Sequence, residues 1–187
     1  MSQFVGISRR KFLLALGAVA AGAAAPGSAI ASQLEPTVLW LERRGEAFLL
    51  DFATQQGYDA ARYLLRDVQA HQIGYPSAPL LFALARTQAA FAAADVHRPY
   101  VVVSGMRVRA TNDRTEGAAR QSEHLPNAQG IFNAADVKLW KVSPDLVGRV
   151  ALQEGAHGVG FYSGKEFTHI DGGRLRPDGT ARVWRRQ

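Results

Sequence analysis

Apolar residues recur every three or four positions in two segments of the chain, at residues 58–72 and from residue 77 or 78 to residue 94. This spacing places them along one face of a helix, so both segments are predicted to be helical. The sequence Gly-Tyr-Pro-Ser at residues 74–77 separates them, because glycine and proline interrupt regular structure. A third helix is predicted at residues 144–153.

Shorter apolar runs predict strands. Two of them, residues 37–41 and 47–51, flank a turn that contains Gly45. Residues 104–130 are polar and rich in arginine, threonine, asparagine and glycine, which indicates a loop with one helical turn. Further strands are predicted at residues 99–103, 133–137, 158–162, 167–170 and 181–184. Helices that come first and short antiparallel strands that come later favour an α+β domain.

The first 31 residues differ from the rest of the chain. They contain a positive head at residues 9–11, an apolar run of small residues at 13–25, and an Ala-x-Ala cleavage site at 29–31. The Ser-Arg-Arg-x-Phe-Leu core resembles a twin-arginine export signal, which predicts cleavage before Ser32 and a periplasmic location. A permanent N-terminal anchor is the alternative, but a run dominated by alanine and glycine gains little from transfer into lipid.

The net charge of +6, from 22 Lys+Arg against 16 Asp+Glu, invites a nucleic-acid-binding interpretation. Segment 9–11 holds three of these basic residues, so the mature domain of residues 32–187 carries only +3. That domain has no stripe of Lys and Arg with interleaved aromatic residues, and we expect no nucleic-acid partner. It also has no apolar run long enough to span a membrane after cleavage. The chain has no cysteine, so any metal ligands are His, Asp or Glu.

Several common enzyme motifs are missing from the sequence, which has no dinucleotide-binding glycine loop, phosphate loop, Gly-x-Ser-x-Gly elbow or His-Glu-x-x-His helix. What remains is a set of histidines and carboxylates. His124, Asp136 and His169 would supply the three protein ligands of a hydrolytic zinc site, with a fourth position left for water. Glu166 and Asp171 flank His169, and either would serve as general base. The alternative interpretation is a group of ordinary surface histidines.

Several spaced motifs occur in the order of a known family. They are Ser104-Gly105-Met106-Arg107 with Thr111-Asn112, Ser122-Glu123-His124, Ala134-Ala135-Asp136, Gly158-Val159-Gly160-Phe161-Tyr162, Phe167-Thr168-His169-Ile170-Asp171 and Arg182-Val183-Trp184. In these motifs the chain resembles the YcbK-like (DUF882) branch of the M15 zinc peptidases, the murein endopeptidase K group. The resemblance covers nearly the whole chain and includes the leader.

The resemblance implies a hedgehog/D-Ala-D-Ala-peptidase-like α+β fold, with a small antiparallel sheet and helices packed on one side. It implies a zinc ion held by His124, Asp136 and His169, and hydrolysis of peptide cross-links or stem peptides of peptidoglycan. Arg107 matches the arginine that lies near the substrate carbonyl in such enzymes, where a guanidinium would stabilise negative charge on the oxygen. The alternative for Arg107 is a structural salt bridge.

The sequence departs from the family pattern in two places. Eleven residues separate His124 from Asp136, whereas the family's His-x-x-Gly-x-Ala-x-Asp is five residues shorter. A loop absorbs such an insertion at little cost in free energy, or the insertion reshapes the cleft. Met106 and Val108 replace the usual tyrosine and serine. The alternative function is a non-catalytic peptidoglycan- or metal-binding relative in which the lengthened loop has lost activity.

Two carboxylates are candidates for the general base. Glu166 stands three residues before His169, where many M15 peptidases carry an acid, and Asp171 stands two residues after it, as in the YcbK-like branch. We favour Asp171, because a strand at residues 167–171 would place it on the same face as His169. His157 replaces a glycine of this branch; it is interpreted as a solvent-facing loop residue, with assistance to proton transfer as the alternative.

Overall fold

The computed structural model describes residues 35–186 of the chain. The export leader predicted at residues 1–31 lies outside this range. Within the range, no helix combines the length and the apolar character that crossing a membrane requires.

Nine strands, four helices and one 3₁₀ turn are found in residues 35–186. The strands are β1 (Val38–Arg43), β2 (Glu46–Asp51), β3 (Tyr75–Pro76), β4 (Tyr100–Ser104), β5 (Ile131–Phe132), β6 (Ala134–Leu139), β7 (Gly158–Tyr162), β8 (Phe167–Asp171) and β9 (Arg182–Arg186). The helices are α1 (Gln55–Leu64), α2 (Ala78–Ala93), α3 (Arg109–Arg114) and α4 (Pro144–Gln153), and the 3₁₀ turn is Ser163–Lys165.

Seven of the strands form one sheet in the order β2-β1-β4-β6-β8-β7-β9. Four neighbouring pairs are antiparallel, and the pairs β1–β4 and β7–β9 are parallel. Strands β3 and β5 form a separate parallel pair. The predicted α+β class with a mainly antiparallel sheet is confirmed.

Helices α1, α2 and α4 pack on one face of the large sheet. Val137 of β6 and Ile170 of β8 point to this face and are 0% exposed. Burial of one such aliphatic side chain stabilises the fold by about 1.5–3 kcal/mol. Successive residues of a strand point to opposite faces, so Asp136 and His169 project from the face that these three helices leave open.

Helices α2 and α4 lie where the sequence predicts them, because each begins with a strong local signal. The Oγ atoms of Ser77 and Ser143 accept hydrogen bonds from the main-chain N–H groups of Leu80 and Leu146. These bonds satisfy donors that have no partner within the helix.

Helix α1 shows that the predicted range 58–72 is wrong at both ends. The helix begins earlier, at Gln55, because the hydroxyl of Thr54 caps it by accepting a hydrogen bond from the first turn. It ends at Leu64, although apolar residues continue at helical spacing to Val68.

The turn after α1 is fixed by Asp67, which accounts for the early end of the helix. Its Oδ1 atom accepts hydrogen bonds from the N–H groups of Gln69 and Ala70, at 2.9 and 3.1 Å, and its main chain exchanges two hydrogen bonds with Gln72. An aspartate that bonds downstream amides offers the backbone an alternative to the helix. Its Oδ2 atom accepts the N–H of Val108 at 2.9 Å, which ties the turn to the segment after β4.

The insertion between His124 and Asp136 contains strand β5. Ile131 and Phe132 pair with β3, in the connection between α1 and α2. Phe132 is fully buried. The inserted residues are therefore anchored to the domain by a strand pair and a buried aromatic side chain.

Candidate metal centre

Three buried side chains converge on the open face of the sheet. His124 comes from the loop between α3 and β5, Asp136 from β6 and His169 from β8. The Nε2 atom of His124 lies 3.1 Å from the Nδ1 atom of His169 and 3.2 Å from the Oδ1 atom of Asp136. The third edge of this triangle, from His169 Nδ1 to Asp136 Oδ1, measures 2.9 Å. The structure thus brings together the three residues that the sequence predicts as ligands.

The register of the sheet explains why two of the three meet. Asp136 and His169 are direct partners across the antiparallel pair β6–β8. Directly opposed residues project from the same face, with their Cβ atoms about 4.5–5.5 Å apart. The position of these two side chains therefore depends on strand pairing, which a rigid sheet maintains.

His124 is held by the segment between β4 and α3. Its Nδ1–H donates to the carbonyl oxygen of Gly105 at 2.6 Å, and its own carbonyl accepts the main-chain N–H of Arg107 at 2.9 Å. Because Nδ1 carries the proton, Nε2 presents its lone pair to the cluster in the neutral ring.

His169 is held in the opposite orientation by Asp171. The Nε2–H of His169 donates to Oδ2 of Asp171 at 3.1 Å, which leaves Nδ1 facing the cluster. Asp171 is 0% exposed, and its Oδ1 atom accepts hydrogen bonds from Arg182 at 2.7 Å and from the N–H of Gly173 at 3.0 Å. The predicted shared face of His169 and Asp171 is confirmed. A carboxylate in this position fixes the tautomer and ring orientation of a metal-binding histidine.

Two glycines of β7 make room for the groups around His169. A Cβ atom at Gly158 would lie 2.1 Å from Oδ2 of Asp171, and one at Gly160 would lie 2.6 Å from the indole of Trp184. Trp184 packs beside His169, with ring centroids 5.0 Å apart. The Gly-Val-Gly motif is therefore explained by close packing, since any side chain would displace a group that supports His169.

Burial and charge act in opposite directions on the three side chains. Burial alone would raise the pKa of Asp136, but His124 and His169 outweigh it and hold that pKa well below its usual range. Burial alone would lower the pKa of His169, but hydrogen bonds to Asp136 and Asp171 raise it to about 9. Burial dominates at His124 and lowers its pKa. The hydrogen bonds of His169 thus favour its protonated ring while no metal is bound, and metal binding would release that proton and leave a lone pair on Nδ1.

Arg107 lies against the cluster. Its Nη2 atom donates to Oδ2 of Asp136 at 2.9 Å, and the two side chains are only 10% and 7% exposed. Its Nε–H is buried and has no hydrogen-bond partner among residues 35–186. The salt bridge that the sequence analysis gave as the alternative is therefore present, and a donor remains beside it.

A cleft with two lobes passes over the cluster. The larger lobe, of about 450 Å³, includes Asp136 in its wall. The smaller lobe, of about 250 Å³, includes His124 and His169. Arg107 and Tyr162 line both lobes. The two lobes share lining residues and adjoin at the cluster, so together they leave room for an extended chain.

Glu166 and His157 are not part of the cluster formed by His124, Asp136 and His169. Glu166 has a left-handed backbone (φ 55°) between β7 and β8, and its 81% exposed side chain pairs with Lys138 at 3.6 Å. The Nδ1–H of His157 donates to the carbonyl of Gly173 at 2.8 Å, and its main chain bonds to β8 and β9. His157 is half-buried and thus belongs to the supporting structure, which the prediction of a solvent-facing residue missed.

Two further residues that were not predicted as part of the site lie next to the cluster. Arg182 contacts Asp171 and Glu123, at 2.7 and 3.4 Å, and Glu123 directly precedes His124. Both residues stand inside motifs that the sequence analysis quotes. Membership of these motifs was the available signal, and Glu123 also stands next to His124 in the chain. The ion pairs themselves could not be predicted, because they join segments that are far apart in sequence.

The donor set fits a divalent metal of intermediate softness. Two imidazole nitrogens and one carboxylate oxygen face one another, and each imidazole donates its second N–H to an oxygen atom. Such sets bind zinc and related first-row metals, while calcium and magnesium prefer oxygen ligands alone. Three protein ligands leave a coordination position free for water or substrate.

Comparison with known proteins agrees with this geometry. A family model described as Peptidase M15 matches residues 56–171. The chain is 31% identical over 183 residues to the peptidoglycan L,D-endopeptidase MepK of Escherichia coli K12, which covers 90% of this chain and 96% of the relative. It is 29% identical over 190 residues to the probable peptidoglycan L,D-endopeptidase MepK of Haemophilus influenzae, with 92% and 96% covered. No solved structure matches the chain significantly.

Proposed function

The chain belongs to the M15 peptidase family, and on that premise we propose that it is a zinc peptidase that hydrolyses the peptide part of peptidoglycan. One observation carries the proposal. His124, Asp136 and His169 converge, and a second hydrogen bond turns each imidazole so that a nitrogen lone pair faces the cluster. This ligand set in three protein positions is typical of hydrolytic zinc sites.

The substrate class follows from the relatives and from the cleft. The relatives above are named as peptidoglycan L,D-endopeptidases, so an L,D peptide bond in a cross-link is the first bond to test. The combined length of the two adjoining lobes favours cleavage within a chain over removal of a terminal residue. We therefore propose endopeptidase activity on cross-linked stem peptides.

Zinc, when bound, would supply a Lewis acid for the scissile carbonyl and lower the pKa of the attacking water. Arg107 lines both lobes of the cleft, and its guanidinium would donate a hydrogen bond to the carbonyl oxygen as negative charge develops there. The salt bridge with Asp136 holds the guanidinium in place, so little reorganisation is needed during the reaction. This preorganisation is the main contribution that we assign to Arg107.

The two candidate bases differ in how they are held, and we assign them different tasks. Both oxygens of Asp171 accept hydrogen bonds, and the residue has no exposed surface. It is suited to orient His169. The carboxylate of Glu166 is exposed, and its flanking residues Lys165 and Phe167 line the larger lobe. We therefore propose Glu166 as the proton acceptor and Asp171 as a positioning residue, which reverses the preference drawn from strand geometry alone.

The two assignments are separated by the variants Glu166→Gln and Asp171→Asn. Glu166→Gln should lower kcat by about 10²–10⁴-fold, as loss of a general base does, and leave zinc affinity unchanged. Asp171→Asn should weaken zinc binding by about 10–100-fold. A Glu166→Gln enzyme of full activity would exclude Glu166 as the proton acceptor.

The location follows from the proposed substrate. Peptidoglycan lies outside the cytoplasm, and the leader at residues 1–31 has the pattern of a twin-arginine signal. We propose export to the periplasm in the folded state. A twin-lysine variant of positions 9 and 10 should remain in the cytoplasm, which fractionation followed by immunoblotting would measure.

Mass spectrometry of muropeptides tests the proposed activity. The purified protein with one equivalent of zinc should convert cross-linked muropeptides into smaller fragments whose masses identify the bond. His124→Ala should produce none, while His71→Ala, which changes an exposed histidine away from the cluster, should behave like the wild type. A wild-type protein that sediments with murein sacculi but leaves every cross-link intact would instead identify the non-catalytic binder.

A further inference from the structure

Arg182 lies on the edge strand β9 and joins two carboxylates behind the metal centre. Its Nη2 atom lies 2.7 Å from Oδ1 of Asp171 and 3.4 Å from Oε1 of Glu123. Its Nε–H donates to the carbonyl of Arg174 at 2.7 Å, and its main-chain N–H donates to the carbonyl of His157 at 2.8 Å. The guanidinium is therefore fixed on several sides.

Each of the two carboxylates is directly connected to a histidine of the cluster. Asp171 accepts the Nε2–H of His169. Glu123 precedes His124, and it is tied to the start of β6 because its carbonyl accepts the main-chain N–H of Asn133 at 2.8 Å and its carboxylate accepts the side-chain N–H of the same residue at 3.1 Å.

Burial makes the counter-charge important. The side chains of Asp171 and Glu123 are 0% and 10% exposed, and that of Arg182 is 27% exposed. A buried carboxylate that loses its partner is strongly destabilised and moves or takes up a proton. Arg174 also contacts Glu123, at 3.2 Å, but its side chain is 65% exposed. Among residues 35–186, Arg182 is the cation that contacts both carboxylates.

We propose that Arg182 is a positioning residue that holds both histidine ligands of the metal centre through Asp171 and Glu123. The inference rests on the proposed metal-binding function. By fixing the Asp171 carboxylate, Arg182 keeps the Nδ1 atom of His169 directed at the cluster. By fixing Glu123, it holds the chain at His124. One side chain thereby positions both His124 and His169, which lie 45 residues apart in the sequence.

Direct contact with the substrate is the other role that the position of Arg182 allows, and it would affect different measured quantities. The residue also lines the smaller lobe of the cleft, where it would contact substrate directly. A substrate contact would change KM and leave the affinity for the metal unchanged. A positioning role would change metal affinity in the absence of any substrate.

The test is a zinc dissociation constant, measured by competition with a chromophoric chelator on the full-length protein. Arg182→Gln should weaken zinc binding by about 10–100-fold, as loss of an outer partner of a metal ligand does. The zinc affinity of Arg182→Lys should lie between those of the wild type and Arg182→Gln. An ammonium group keeps the positive charge, but it lacks the planar fork with which a guanidinium reaches several acceptors. Circular dichroism on each variant checks that it is folded.

Arg185→Gln is the matched control. Arg185 lies on the same strand and also pairs with an aspartate, Asp145, at 2.5 Å, but its side chain is 62% exposed and lies over the ring of Phe161. Its loss should change zinc affinity by less than about twofold.

A double-mutant cycle with Asp171→Asn completes the experiment. If Arg182 acts partly through Asp171, the double variant should lose less zinc affinity than the sum of the two single losses, because only the contact with Glu123 remains to be lost once Asp171 is changed. Wild-type zinc affinity in folded Arg182→Gln, or additive effects in the double variant, would overturn the inference. A wild-type protein that binds no zinc would overturn the proposed function as well, so the two failures are distinguishable.

Discussion

Strands β6 and β8 each present two buried faces that are stabilised in different ways. Towards the helices, Val137 and Ile170 pack among other apolar side chains. Towards the cleft, Asp136 and His169 are nearly as buried, but each is surrounded by charged and hydrogen-bonding groups. The apolar face is stabilised by close packing of its side chains, whereas the polar face is stabilised by hydrogen bonds and ion pairs among its donors and acceptors. Substitutions one residue apart should therefore affect different properties.

The largest effect is expected for His169→Ala, on the polar face. The variant would lack one of the three proposed ligands, so stoichiometric zinc binding and peptidoglycan hydrolysis should both be lost. Metal analysis after dialysis and the muropeptide assay measure the two quantities. Retention of one equivalent of zinc by the folded variant would contradict the ligand assignment.

Arg107→Gln should have the next largest effect and act on the chemical step. Loss of one donor to a developing oxyanion lowers kcat by about 10²–10³-fold. Steady-state kinetics with a defined cross-linked muropeptide would measure the decrease. Metal content should stay at one equivalent, since Asp136 keeps its contacts with the two histidines. A change in KM alone would place Arg107 in substrate binding.

Ile170→Ala tests the apolar face. Removal of a fully buried isoleucine side chain should lower the free energy of unfolding by about 2–5 kcal/mol. Urea denaturation of the metal-free protein would measure it. Zinc affinity and kcat of the folded fraction should match the wild type. If zinc affinity fell by as much as is expected for Asp171→Asn, the two faces would not be independent.

Asp67→Asn should have the smallest effect and a defined pH dependence. Burial alone would raise the pKa of Asp67, but hydrogen bonds from main-chain N–H groups lower it below its usual value. Its carboxylate therefore stabilises the fold above the unfolded-state pKa of about 3.9, and this contribution is lost as pH falls through the folded-state pKa. The variant should be about 1–3 kcal/mol less stable at pH 7. Urea denaturation at several pH values should show the difference shrinking below pH 4.

The elements that the sequence predicts well carry their own local signals. Helix α4 matches its predicted range, and Ser143 caps it. The end of α1 was predicted wrongly because apolar spacing continues past Leu64, while Asp67 redirects the backbone through side-chain hydrogen bonds. The pair β3–β5 was not predicted, since two-residue strands are too short to show an alternating pattern.

The site could be predicted in part. Histidine and aspartate at 124, 136 and 169 were identified by residue type and by the family resemblance, and the structure brings them together. The orientation of each ring could not be predicted, because it depends on Gly105 and Asp171 in three dimensions. For the same reason Arg182 was not predicted as part of the site, since its carboxylate partners lie 11 and 59 residues away in sequence.

Strand β9 is synthesised after the residues of the apolar core and of the metal centre. All three ligand positions, and the last residue of the apolar core, Ile170, precede β9 in the chain. The guanidinium of Arg182 and the indole of Trp184 come later, on a strand that pairs in parallel with β7. A nascent chain that has reached Asp171 thus has its core residues and the three proposed ligands, but it lacks the arginine that contacts Asp171 and the indole that packs beside His169. The hydrolytic centre is completed only after the core that carries it.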